Sequence, residues 1–164
     1  MARTIGSISK DNGAAAARRL IEPSFVVQLR LKAGSPKYYV NLNPAAGVPV
    51  DRDEIFQLHT FFDHYRITRG KQHGQLAANS KYVFCRITTG ALLLHPTYRH
   101  PVIAAGRPVL YAGEIYFDHG TLKWWSNGSG NYRPDAGHAA QAELPLDRFY
   151  TYQDVLKGRH KEKR

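Results

Sequence analysis

The chain has 164 residues, 43% of them hydrophobic and 22% charged, enough for one domain with its own core. A formal charge of +10 suits an acidic macromolecular partner, protein or nucleic acid, and a single cysteine excludes an intramolecular disulfide framework. No stretch approaches the roughly 20 apolar residues that span a bilayer, so no membrane span is expected.

Residues 1–23, rich in Gly, Ala, Ser and Arg, read as a flexible leader ending at Pro23. The leader lacks the apolar core of a signal peptide. The expected location is therefore the cytoplasm, or outside the cell by a specialised secretion system that needs no cleavable peptide.

Residues 24–157 read as a single α+β domain. In SFVVQLRLK, Phe25, Val27, Leu29 and Leu31 alternate with their neighbours as a strand does, and AGSP joins it to a second strand, KYYVNLN. Asp51 with Glu54 resembles a capping box, and Ile55, Leu58, Phe62 and Tyr65 follow at helical spacing. A central helix is the prediction. His59 and His64 lie too far apart on such a helix to chelate a metal, and no metal site is expected elsewhere.

Beyond the polar loop TRGKQHGQLAANS, KYVFCRIT and ALLLH read as a hairpin turning at TTG, with Cys85 a small buried hydrophobe. RPVLYAGEIYF and TLKWWS form a longer hairpin with His119 and Gly120 near its tip. PLDRFYTYQDVL reads as a short C-terminal helix capped by Asp147 and packing Phe149 and Val155. Residues 158–164 are a basic tail. The expected fold is α+β, mainly antiparallel β-sheet in hairpins, with one central helix and a short C-terminal helix.

The stretch GTLKWWSNGSGNYRP carries the strongest functional signal. Trp124 and Trp125 are adjacent, so in a strand they face opposite ways, and the one facing out must lie under another element or line a groove. The Asn, Gly and Ser that follow favour a self-hydrogen-bonded turn, with Tyr132 plugging the core or standing at a pocket rim.

From Lys81 to Tyr152, the ordered segments resemble the C-terminal half of a domain found in plant IQ-motif calmodulin-binding proteins. The same domain occurs in uncharacterised bacterial and fungal toxin- or effector-like proteins. About 70 of the 164 residues take part. His100 falls on the family's histidine, Gly106 on its small-residue turn, and Ala112, Gly113 and Glu114 on its AGE. Ser129, Gly130, Tyr132 and Pro134 match its SGHYxP. Pro101 and Val102 stand where the family usually has two serines, and Asn131 replaces the histidine of SGHY. No IQ motif is present, so calmodulin binding does not carry over.

Two functions follow. In one, an effector- or toxin-like enzyme uses His100 as acid/base, Glu114 as orienting carboxylate and Tyr132 as a clamp. Arg107, Trp125, Asn127, Ser129, Asn131 and Arg133 would then bind the substrate. Nucleotidyl transfer, ADP-ribosyl transfer and RNA cleavage all suit such a basic pocket, and the sequence identifies neither a reaction nor a cofactor. In the other, the domain is a non-catalytic module gripping a protein or ligand with an aromatic, basic rim. A plain nucleic-acid binder is a third reading. GxSxG, HExxH, P-loop and Rossmann patterns are absent.

Overall fold

Where helical spacing predicts a central helix, the chain runs instead as a hairpin, β1 (Phe56–Phe61) against β2 (His64–Arg69). The capping signal at Asp51 is genuine but short-lived. Its carboxylate accepts from the amide of Asp53 at 2.9 Å, the chain makes one 3-10 turn over Arg52–Glu54, and Ile55 is already extended. Tyr65 and Ile67 then turn inward while Arg66 is exposed, which is a period of two. The hairpin turn rests on Phe62 at φ 56°, a conformation usually given to Gly, so the sequence carries no visible turn signal there.

The computed structural model describes residues 35–44, 49–71 and 74–161. The leader, the predicted strand SFVVQLRLK and the last three residues of the tail lie outside them. Of the expected second strand, Tyr39 alone makes a bridge, to Val109, and Tyr38, Val40 and Leu42 are exposed.

Six further strands complete the sheet: β3 (Leu76–Ala77), β4 (Lys81–Ile87), β5 (Leu92–His95), β6 (Val109–Asp118), β7 (Thr121–Ser126) and β8 (Phe149–Tyr150). The eight strands lie in the order β3-β2-β1-β5-β4-β6-β7-β8. The two predicted C-terminal hairpins are β4–β5 and β6–β7. The sheet is mixed rather than purely antiparallel, because β8 pairs parallel to β7. It curls until β2 meets the β6–β7 turn. The Tyr65 amide donates to the Gly120 carbonyl at 2.8 Å, and a Cβ on Gly120 would stand 2.4 Å from the His64 ring.

Helix is scarce among the described residues. α1 (His100–Ile103) and α2 (Tyr152–Leu156) are short, and 3-10 turns span Ala136–Ala142, Leu146–Arg148 and Arg159–Lys161. The cap of α2 is Thr151, whose hydroxyl accepts from the Asp154 amide at 3.1 Å, and not Asp147. Phe149 belongs to the sheet. The basic tail begins as an ordered turn, with His160 packed 4.7 Å from Trp124.

Registers place Tyr82, Phe84, Gly113 and Ile115 on one face of the sheet, and Val83, Cys85, Ala112 and Glu114 on the other. Trp125 centres the first face, fully buried against Phe84, Tyr111 and Phe149, its indole N–H donating to the Pro145 carbonyl at 2.7 Å. A bulge after Leu122 re-phases β7, so Leu122 and Trp125 both face in and Trp124 faces out. α1 packs on the second face over Cys85, whose thiol reaches the His100 carbonyl. Burial there pushes the thiol pKa up, leaving it an inert core group.

Candidate functional site

β7 ends at Ser126, directly over β6. A Cβ on Gly113 would lie 1.7 Å from the Ser126 carbonyl oxygen, so the crossing requires glycine. Beyond it the chain lifts away from the sheet as the loop Asn127–Pro134. A cavity of about 650 Å³ opens between this loop, the Thr97–His100 approach to α1 and the first turn of α2, with Val83 and Glu114 among its walls. That volume suits a small ligand.

The loop is tied at nearly every residue. Ser126 Oγ accepts from the Gly128 amide at 3.2 Å and Ser129 Oγ from the Tyr132 amide at 3.2 Å. Asn127 donates through Nδ2 to the Pro134 carbonyl at 2.9 Å, and its Oδ1 accepts from the Tyr152 amide at 2.8 Å. One side chain thus fixes both the loop and the start of α2. Arg133 adopts φ 45° and donates Nε–H to the Gly130 carbonyl at 3.0 Å, leaving the outer nitrogens of its guanidinium unspent.

Six of the nine residues singled out from the sequence line this cavity: His100, Glu114, Asn127, Ser129, Asn131 and Arg133. Arg107, Trp125 and Tyr132 do not. Trp125 is core. Tyr132 is buried beneath the loop, donating its hydroxyl to the Arg107 carbonyl at 2.8 Å, and burial raises its pKa. Arg107 therefore contributes backbone, not side chain.

His100 is buried and its Nε2 donates to the Gly113 carbonyl at 2.8 Å. Burial pushes its pKa down to about 4 against the opposing pull of that bond, and the charge of Arg99 adds to the depression. The ring is neutral at pH 7, with Nδ1 as its acceptor nitrogen. Glu114 pairs with Lys81 at 3.9 Å.

Arg99, Tyr98 and Tyr152 line the cavity too, and sequence reasoning did not select them as site residues. Arg99 precedes His100 directly, which is a signal of a kind. Tyr152 arrives only through the Asn127 hydrogen bond, which leaves no trace in the local pattern. Tyr98 is held by its hydroxyl on the Glu54 carboxylate and by the His95 ring stacked at 3.7 Å.

Among the described residues, no three His, Cys, Asp or Glu side chains gather as a metal site. No described helix is long and apolar enough to cross a membrane. No protein-family model, curated protein or solved structure matches the chain.

Proposed function

We propose that this domain is a non-catalytic binding module whose cavity takes an oxyanion-bearing ligand. The observation that carries this is the presence of Arg99 and Arg133 on one cavity, neither with a carboxylate partner among the described residues. Guanidinium groups bind phosphate or carboxylate oxygens through paired N–H donors, and unpaired ones at a cavity favour an anion. The carboxamide of Asn131, which lines the cavity, adds a donor. The carboxylate of Glu114 is partly offset by Lys81.

A toxin- or effector-like enzyme, the other reading of the sequence, would need His100 to carry protons. An imidazole with a pKa near 4, its Nε2 bound to Gly113, is a poor acid and a weak base at pH 7. The Tyr132 hydroxyl is likewise committed to Arg107. Calorimetric titration with inorganic pyrophosphate tests the binding reading. Wild type should bind, and the Arg99→Ala, Arg133→Ala double variant should bind at least about tenfold more weakly, given about 1.5–3 kcal/mol per charged hydrogen bond. Absence of binding in wild type, or equal affinity in the double variant, would overturn it.

A further inference from the structure

The wall of the cavity continues along the sheet into a second feature. Glu114 lies on the cavity, and Tyr116, two residues further along β6 and on the same face, lies about 7 Å beyond it. Tyr116 pairs with Trp124 of β7 on one side and with Lys81 of β4 on the other. The Tyr116 and Trp124 rings are stacked, 21° apart with centroids at 6.2 Å, and the pair makes an aromatic shelf on this face. Tyr116 is exposed and Trp124 half-buried.

His160 packs against Trp124, and its Nδ1 is buried without a hydrogen-bond partner among the described residues. Burial lowers the His160 pKa, as do the charges of Lys161 and Lys81, so the nitrogen is a neutral donor or acceptor near pH 7. Lys81 therefore stands close to both the cavity carboxylate and the shelf.

Resting on the oxyanion reading of the cavity, we propose that the ligand is a single-stranded nucleic acid, with a phosphate held at Arg99 and Arg133 and a neighbouring base stacked on the Trp124–Tyr116 shelf. Bases of every kind present a π face, and stacking on aromatic rings combined with basic side chains on the backbone is how single strands are gripped without sequence preference. A duplex hides those faces. The formal charge of +10 supplies the long-range attraction.

The test pairs a fluorescently labelled octauridylate, read by anisotropy, with pyrophosphate, read by calorimetry. Trp124→Ala should weaken octauridylate binding by about 5- to 150-fold, the span of one lost stacking contact, and leave pyrophosphate affinity within about twofold. In wild type the oligonucleotide should quench indole emission. Trp124→Phe, which keeps a ring and leaves only buried Trp125 as indole, should bind but show no quenching. Octauridylate binding unchanged in Trp124→Ala, or a duplex bound as tightly as the single strand, would overturn this inference while the oxyanion reading stands. Failure of wild type to bind pyrophosphate would overturn the reading beneath it.

Discussion

His100 donates its Nε2 proton to the main-chain carbonyl of Gly113 at 2.8 Å, joining the start of α1 to the middle of β6 across a buried space. The same glycine lies where the Ser126 carbonyl crosses β6. A histidine that looks like catalytic equipment in the sequence thus braces the wall of a cavity.

The pH dependence of stability follows from that brace. A folded pKa near 4 against about 6.5 unfolded means the unfolded chain binds the extra proton between those values. Stability from this group is complete above pH 6.5 and is lost as pH falls toward 4, by about 3 kcal/mol. His59, His95 and His160 are lowered in the same direction, so the readout is the difference between wild type and His100→Gln. Urea melts from pH 7 to pH 4 should show the steeper fall in wild type.

Gly113 and Gly130 are expected to behave oppositely. Gly113→Ala drives a methyl into the Ser126 carbonyl and should cost about 3 kcal/mol or more. At Gly130 a Cβ would meet open space, and the backbone there is not left-handed, so Gly130→Ala should stay within about 0.5 kcal/mol. Chemical denaturation of the two variants checks this.

Trp125 and Trp124 should also divide. Trp125→Phe strips the Pro145 carbonyl of its indole donor and opens space in the core, a loss of about 2–4 kcal/mol. Trp124→Phe should cost less than about 1 kcal/mol, because its ring is only half-buried. Thermal melts of both variants give the comparison.

How much of this was legible in the sequence varies along the chain for physical reasons. The β4–β5 and β6–β7 hairpins announce themselves through alternation and through Gly90 and Gly120, both at positive φ in their turns. The β1–β2 hairpin does not, because Phe62 occupies the residue that bends it and its neighbours happen to fall at helical spacing as well. Adjacent tryptophans had to face opposite ways, but the bulge after Leu122 decides which is core, and a bulge of this kind has no composition. His100, Glu114 and the Asn127–Arg133 loop line one cavity, and the loop is legible because glycine and asparagine mark it and β7 leads into it. Tyr132 plugs the core instead of joining them, since its partner is a backbone carbonyl that no residue type reveals.

Backbone and side-chain amide NMR shifts during a pyrophosphate titration test the central claim most directly, because they locate the anion. The expected result is saturable movement of the Gly128, Ser129 and Asn131 amides, the Asn131 carboxamide and the Arg99 and Arg133 Nε–H signals. Shifts confined to the basic residues after Leu156, or spread over the exposed arginines of the β1–β2 hairpin, would contradict it.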